Sequence, residues 1–391
     1  MAKRTLDAFF KPSTTPSKRP KAELTEPNTV STPKTNNIPI EDTKSPSQHP
    51  SYPIPIAQLP SHIEAGLEHA TPATTPRKLN NQPHLDLLHF QPYIPRPTAN
   101  ELFKFLRREL PFYRVQYTAR RGDTETQITT PRWTTVFGID ETSAFIEQDE
   151  NNLVLLDTKT KTPTPKTKYQ CTPRPIPACL DLLRKQVEAA NADADNKTPR
   201  YNFCLVNYYA DGDDSIAFHS DDERFLGPEP NIASLSLGGE RDFLMKHKPL
   251  DGGNVNRTGG CVPAAPVMSR PDGTGATRAS STVSGGTSST DSPRSRVATV
   301  PQQIKMKLGS GDMVVMRGAT QSNWLHSIPK RKGRAGEATR GRINITFRRA
   351  VVPGGTNNYY HYNVGSGGMY RWDDVAREMV LQNGKVERDT Q

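Results

Sequence analysis

Seven short segments between residues 200 and 350 have the length and composition of β-strands, and they constrain the fold more than any other feature. Turn-forming residues separate them, as expected for consecutive strands. The segments are RYNFCLVNYYA, SIAFHSD, IASLSLGG, RDFLMKHK, DMVVMRG, NWLHSIP and RINITFRRA. These segments predict a mainly β domain.

Two amphipathic helices are expected before these strands. TANELFKFLRREL (98–110) places leucine and phenylalanine at helical spacing, with Thr98 as a candidate N-cap. IPACLDLLRKQVEAAN (176–191) has the same kind of pattern. The domain is therefore predicted to be mainly β with flanking helices.

Composition divides the chain. Residues 1–85 contain 14 of the 35 prolines together with many serines and threonines, which favours a disordered tail. Gly, Ser, Thr and Pro fill 28 of the 53 positions of 251–303, which predicts a disordered insertion between two strands. The folded domain is expected over 86–351, and 352–391 is expected to pack on it as a C-terminal appendage.

The formal net charge is +10, which favours a polyanionic partner such as nucleic acid. The alternative is that basic tails alone raise the charge. The four cysteines lack C-x-x-C spacing, so neither a zinc site nor a disulfide framework is indicated. No apolar run of about 18 residues and no apolar leader is present, so a soluble intracellular protein without membrane contact is expected.

A candidate metal site combines His219 and Asp221 with His326. Residues i and i+2 of a strand point to the same face, so His219 and Asp221 present an imidazole and a carboxylate together. This pair alone is also compatible with an exposed strand end. His326, on a later strand, completes the two histidines and one carboxylate typical of non-haem Fe(II) oxygenases.

A candidate anion site lies in RINITFR (342–348). Ile343, Ile345 and Phe347 alternate with a polar face made of Arg342, Asn344, Thr346 and Arg348. Buried guanidinium groups require an anion, and a dicarboxylate such as 2-oxoglutarate would suit them. A basic strand on the surface is the other interpretation. Asn207 and Tyr209 share one face of a further strand and should lie near the metal site.

Taken in order, N-x-Y, a D-G turn, H-x-D-D-E, RDFLMKHK, W-x-H-S-I-P and R-x-N-x-T-F-R resemble the AlkB family of Fe(II)/2-oxoglutarate dioxygenases, in its eukaryotic DNA-repair branch. The resemblance implies a double-stranded β-helix, or jelly-roll, fold and Fe(II), 2-oxoglutarate and O2 as cofactor and cosubstrates. It implies the following roles: iron ligands and catalytic residues His219, Asp221 and His326; cosubstrate contacts Asn207, Tyr209, Arg342, Asn344, Thr346 and Arg348; substrate contacts Asp222 and Glu223.

The resemblance also implies a nucleotide-recognition lid at 111–150. Basic residues are interleaved with aromatic ones there, a pattern suited to phosphate contact and base stacking. These residues are Arg114, Arg120, Arg121 and Arg132, with Tyr117, Trp133 and Phe137. An ordinary hairpin surface with core aromatics is the alternative.

The N-terminal KRTLDAFF (3–10) resembles half of a sliding-clamp (PCNA) binding peptide, with Leu6, Phe9 and Phe10 as the docking residues. Lys3 stands where such peptides carry glutamine, and an incidental apolar N-terminus is the alternative. SKRPK (17–21) is a candidate nuclear-import signal, so a nuclear location is expected.

The function expected from the resemblance is oxidative demethylation of alkylated DNA bases of the 1-methyladenine and 3-methylcytosine type, by a monomer. An RNA or protein demethylase with the same chemistry is one alternative. A non-catalytic DNA or clamp adaptor that retains the fold is another.

Overall fold

The predicted strands form two sheets that pack face to face, and three of the helices cover the outer face of the larger sheet. The computed structural model describes residues 44–68, 74–121, 124–149, 152–192, 199–249, 301–331, 341–365 and 367–382. These residues belong to one unit that begins at Asp42. The strands are β1 (Arg77–Leu79), β2 (Leu87–Phe90), β3 (Phe112–Tyr113), β4 (Gln116–Arg121), β5 (Thr124–Thr129), β6 (Trp133–Gly138), β7 (Ser143–Asp149), β8 (Asn152–Asp157), β9 (Phe203–Tyr209), β10 (Ile216–His219), β11 (Ile232–Gly238), β12 (Arg241–His247), β13 (Ile304–Leu308), β14 (Met313–Met316), β15 (Trp324–Ile328), β16 (Arg342–Arg348), β17 (Met369–Asp373) and β18 (Glu378–Leu381).

The larger sheet has ten strands in the order β1-β2-β14-β11-β16-β9-β6-β3-β17-β18, and the smaller has four in the order β10-β15-β12-β13. The hairpins β4–β5 and β7–β8 form separate two-stranded sheets. One apolar cluster joins side chains of both main sheets, including Leu205 and Val314 from the larger and Met245 and Trp324 from the smaller. Two facing antiparallel sheets of this kind confirm the predicted jelly-roll class.

The helices are α1 (Ser61–Glu68), α2 (Arg96–Glu109), α3 (Ala178–Ala190), α4 (Thr320–Asn323) and α5 (Asn357–Asn363). A second apolar cluster joins α1, α2 and α3 to the outer face of the ten-stranded sheet. Both long helices predicted from periodicity are present. The predicted start of α2 is wrong by two residues, because Pro97 is accepted in the first turn and Thr98 is not the cap.

The expected tail boundary at residue 85 is also wrong. Within 44–85 the chain forms α1 and β1, and Ile63 and Leu67 are buried against the rest of the core. Leu59, Ile63 and Leu67 recur at helical spacing just after a proline-rich stretch, which is a helix signal. Composition averaged over 85 residues concealed this short amphipathic segment.

The segment 352–391 is more than an appendage. Its strand β17 pairs with β3, and β18 then forms the edge of the ten-stranded sheet. The Arg107 guanidinium of α2 lies 3.7 Å from the centroid of the Trp372 ring on β17, a cation–π contact that ties the strand to the helix. Helix α5 packs into the cluster between the two sheets through Tyr360.

Several expectations concern residues outside the described part of the chain. These are the clamp-binding residues Leu6, Phe9 and Phe10, the basic stretch 17–21, and 251–300 of the insertion. Among the helices that the structure describes, none combines the length and apolarity needed to cross a membrane.

The burial of α1 against the core leads to a prediction about stability. Leu67 is only 1% exposed, so Leu67→Ala should lower the free energy of unfolding by about 2–5 kcal/mol through lost burial and the cavity left behind. Val375, 95% exposed, is the matched control, and Val375→Ala should change stability by less than about 0.5 kcal/mol. Urea denaturation measures both; equal stabilities would mean that α1 is not part of the folding unit.

The insertion leads to a second prediction. Strands β12 and β13 flank it and pair antiparallel, with Met245 opposite Ile304. Their ends therefore lie close enough for a short connection to replace residues 254–300. This deletion should leave the midpoint of thermal unfolding within a few degrees of the full chain. A broad, non-cooperative transition measured by circular dichroism would show that the insertion is needed for folding.

Candidate functional site

Strand pairing brings the three candidate metal ligands together. His219 on β10 lies directly opposite His326 on β15, and Asp221 follows β10 by two residues. One ligand atom from each of the three residues lies within 4.8 Å of the others. The Asp221 carboxylate is 3.9 Å from Nε2 of His219 and 3.8 Å from Nε2 of His326. The structure thus brings together the three residues that the sequence grouped as candidate metal ligands, although their two strands are far apart in the chain.

The protonation state of the cluster suits a divalent metal. Burial, and then the neighbouring His219, lowers the pKa of His326 to about 3, so its imidazole is neutral. Burial also lowers the pKa of His219. Burial opposes ionisation of Asp221, but the Arg348 guanidinium together with His326 and His219 outweighs burial and holds the pKa of this carboxyl below its usual value. Two neutral imidazoles and one carboxylate are the forms that bind a metal.

His219 is also oriented for metal binding. Its Nδ1 lies 2.9 Å from the carbonyl oxygen of Ala217, which requires Nδ1 to carry the proton. The Nε2 lone pair is then directed toward Asp221 and His326. A second hydrogen bond of this kind is the usual way in which a protein fixes a ligating histidine.

The inner face of β16 carries a buried cation with free hydrogen-bonding capacity. Arg342 donates from Nη2 to Ser236 Oγ at 2.9 Å, but its Nε and Nη1 have no hydrogen-bond partner among the described residues. The Tyr209 ring lies beside it, with its centroid 5.3 Å from the guanidinium carbon. Burial lowers the pKa of Arg342 to about 10, which leaves the group charged at neutral pH. A buried charge of this kind calls for an anion.

The other three polar residues of β16 also have partners within the site. Asn344 donates to Ser234 Oγ at 2.8 Å and to the carbonyl of Leu235 at 3.1 Å, both on β11. Thr346 donates to Asn344 Oδ1 at 3.3 Å. Arg348 forms an ion pair with Asp221, with Nη2 and Oδ1 3.0 Å apart. The alternation predicted for RINITFR is confirmed, since Ile343, Ile345 and Phe347 enter the opposite, helix-facing cluster.

Asn207 and Tyr209 lie on β9, which pairs with β16 in the ten-stranded sheet, and both residues line the same cavity. Asn207 Oδ1 accepts a hydrogen bond from Arg132 Nε at 3.0 Å. Arg132 follows the β4–β5 hairpin. It thus connects the proposed lid segment to the strand face that carries the predicted cosubstrate contacts.

The two acids after the triad have different environments. Asp222 is exposed, accepts from Ser220 Oγ at 3.0 Å, and pairs with Lys248 Nζ at 2.6 Å. Glu223 instead lines the cavity and accepts from the hydroxyl of Tyr359 at 2.7 Å. Burial and then the Asp221 charge raise the pKa of Glu223 to about 7. Of this pair, Glu223 is the one that faces the site.

Apart from Asp222, the candidate site residues all line one cavity of about 300 Å³ between the two sheets. The ligand cluster and Arg342 both line it, together with Tyr117 and Ile128 of the β4–β5 hairpin. A volume of about 300 Å³ lies at the lower end of small-molecule sites. The cavity wall therefore combines the His-Asp-His cluster, a buried cation and side chains of the β4–β5 hairpin.

The lid expectation is only partly matched by the structure. Trp133 and Phe137 lie on β6 inside the ten-stranded sheet and are buried in its core, so they are not free to stack on a base. Arg114 pairs with Asp214 at 3.2 Å. Tyr117 and Arg132 do reach the cavity, while Arg120 and Arg121 lie at the end of β4. The alternation of basic and aromatic residues in the sequence could not distinguish the buried strand β6 from the β4–β5 hairpin.

Sequence reasoning missed the contribution of α5. Asn358, Tyr359, Tyr362 and Asn363 line the cavity, although they follow the expected domain. The Tyr362 ring meets the Tyr117 ring of the hairpin edge-on, with centroids 6.2 Å apart. The sequence NNYYHYN could have indicated that this segment contributes to the site, because three tyrosines in a short polar stretch are unusual for an appendage.

Comparisons with known proteins agree with this geometry. A family model described as the 2OG-Fe(II) oxygenase superfamily matches residues 86–348. DNA oxidative demethylase ALKBH2 of Arabidopsis thaliana is 36% identical over 174 residues, which are 44% of this chain and 43% of that protein. DNA oxidative demethylase ALKBH2 of Homo sapiens is 29% identical over 181 residues, 46% of this chain and 49% of that protein.

A third relative is alpha-ketoglutarate-dependent dioxygenase alkB homolog 3 of Mus musculus, 29% identical over 187 residues, 47% of this chain and 48% of that protein. The chain thus spans about half the length of the curated relatives it matches. The family match, in contrast, covers well over half of this chain and includes the ligand cluster, the β16 face and Glu223. The chain belongs to the 2OG-Fe(II) oxygenase superfamily and, within it, to the AlkB family.

Proposed function

We propose that this protein oxidatively demethylates alkylated DNA bases of the 1-methyladenine and 3-methylcytosine type, using Fe(II), 2-oxoglutarate and O2. One observation carries the proposal: a His-Asp-His cluster and an incompletely paired buried arginine line a single cavity. The AlkB relatives, two of them named DNA oxidative demethylases, support the substrate class.

His219, Asp221 and His326 would hold the metal. Their donor atoms converge within 4.8 Å, and the imidazoles are neutral, so the set fits a divalent cation. Bound Fe(II) supplies the activation of O2 for oxidation of a C–H bond, with 2-oxoglutarate as the source of two electrons. The protein's own groups bind the cosubstrate, orient the base and exclude water.

Arg342 would bind one carboxylate of 2-oxoglutarate. Its two free N–H positions, Nε and Nη1, can form the charge-assisted hydrogen bonds that a carboxylate accepts. Ser236 holds the third nitrogen and so fixes the plane of the guanidinium. Asn207 and Tyr209 on β9, and Asn344 and Thr346 on β16, would complete the polar wall around the cosubstrate.

Arg348 would act through Asp221, one of the three candidate metal ligands. Its ion pair with Asp221 keeps that carboxylate ionised and fixed in orientation. The arginine still has Nε and Nη1 without a partner among the described residues, so a contact with the cosubstrate is also compatible with its position.

The methylated base would enter beside the β4–β5 hairpin. Enzymes that modify a base must first remove it from the helical stack, and aromatic side chains then support it. Tyr117 supplies such a ring in the cavity wall. Glu223 offers a carboxyl oxygen to an exocyclic amino group, which adenine and cytosine both carry. The formal net charge of +10 supports a nucleic-acid partner, and DNA as substrate supports a nuclear location.

The function is tested directly with purified full-length protein, Fe(II) and 2-oxoglutarate. Single- and double-stranded oligonucleotides carrying one 1-methyladenine or 3-methylcytosine should lose the methyl group, with formaldehyde and succinate formed in equal amounts. Methylated RNA of the same sequence is the comparison. Turnover of RNA alone would replace DNA as the substrate, and 2-oxoglutarate consumption without any demethylation would contradict the proposed substrate class.

The ligand assignment predicts metal-binding behaviour. His219→Ala and His326→Ala should each weaken Mn(II) binding at least about 10-fold, since each removes one of three protein ligands. Isothermal titration calorimetry measures this without turnover. His62→Ala, at an exposed position of α1, is the matched control and should bind Mn(II) like the parent protein. Unchanged Mn(II) affinity in both cavity variants would contradict the assignment.

The assignment of Arg342 to the anion site predicts a selective loss of affinity for 2-oxoglutarate. Arg342→Ala should weaken 2-oxoglutarate binding by about 2–5 kcal/mol, or at least roughly 30-fold, because it removes one partner of a buried charge pair. Arg349→Ala removes an exposed arginine paired with Glu141 and should leave the affinity unchanged. Equal 2-oxoglutarate affinities in the two variants would show that the carboxylate binds elsewhere.

A further inference from the structure

Helix α5 lies beyond residue 348, where the family match ends, yet it supplies part of the cavity wall. Within this wall, Tyr359 contacts Glu223. Its hydroxyl donates to Glu223 Oε1 at 2.7 Å. The other oxygen of this carboxyl group, Oε2, is buried and has no hydrogen-bond partner among the described residues.

Packing fixes the Tyr359 ring on three sides. Phe203 and Phe225 each meet it edge-on, with centroids 5.4 Å away. The Arg348 guanidinium carbon lies 5.0 Å from its centroid. Rotation of the ring is therefore restricted, and the hydroxyl is directed to one point in the cavity. A hydrogen bond from such a ring determines which oxygen of Glu223 remains available.

We propose that Tyr359 is a positioning residue for substrate recognition: its hydroxyl binds Oε1 of Glu223 and thereby presents Oε2 to an N–H donor on the substrate base. The inference rests on the proposed function, because it assigns the donor to a methylated base. It goes beyond that function in assigning a role to a segment that follows the matched family domain. Recognition then depends on two elements, the loop after β10 and helix α5.

Tyr359→Phe is the direct test, because it removes the hydroxyl and keeps the ring against Arg348. A fluorescein-labelled single-stranded oligonucleotide with one 1-methyladenine is titrated with full-length protein, with Mn(II) replacing Fe(II) to prevent turnover. The dissociation constant should rise about 3- to 10-fold, the usual effect of one lost hydrogen bond.

Tyr52→Phe is the matched control. The Tyr52 hydroxyl donates to the carbonyl of Pro175 at 2.8 Å, away from the cavity, so this variant loses a similar hydrogen bond without touching Glu223. It should bind the oligonucleotide like the parent protein. Equal weakening in both variants would mean that Tyr359 acts only through stability.

A double-variant cycle tests whether Tyr359 acts through Glu223. Glu223→Gln should weaken binding, and adding Tyr359→Phe to it should cause little further loss, because residues that act as a unit are not additive. Fully additive effects would overturn the proposal, as would unchanged binding in Tyr359→Phe. If the parent protein does not demethylate the oligonucleotide at all, the proposed function fails instead. The two failures are thus distinguishable.

Discussion

The ion pair between Asp221 and Arg348 is the interaction on which the site depends. Removing a carboxylate from water is costly unless a cation compensates it, and here the compensating guanidinium is held on β16, in the opposite sheet from the histidines. The pair therefore fixes the ionised state of Asp221 and also connects the two sheets across the cavity. Because both imidazoles are neutral, Asp221 and Arg348 together leave the cluster without the net charge that would otherwise oppose burial.

Local alternation was sufficient to predict the parts of the site that lie on regular strands. His219, the inner face of β16, and the pair Asn207 and Tyr209 are placed by period-two geometry, whereas Asp221 lies two residues beyond the end of β10. His326 was assigned from its residue type and strand context, and the register of β10 against β15 explains why it faces His219. For these residues, the alternation read from the sequence is the same alternation of side chains that a pleated strand imposes in the structure.

Other features depend on contacts that no local pattern specifies. Asp222 and Glu223 are adjacent and chemically similar, yet Lys248 holds one at the surface and Tyr359 holds the other inside. The burial of Trp133 follows from the position of β6 beside β9, which only the sheet order determines. Composition likewise could not show that a helix within a proline-rich stretch, or strands near the C-terminus, complete the main core.

The ligands come from strands separated by a long stretch of chain, and much of this separation is the insertion between β12 and β13. The entropy of closing a loop grows only with the logarithm of its length, so doubling the connection costs about 0.6 kcal/mol. In the four-stranded sheet, β13 is the edge strand opposite β10. The chain can thus gain or lose residues at this hairpin while strand register alone keeps His219 opposite His326. Assembly of the metal site is therefore nearly independent of the length of the segment that divides its ligands in the sequence.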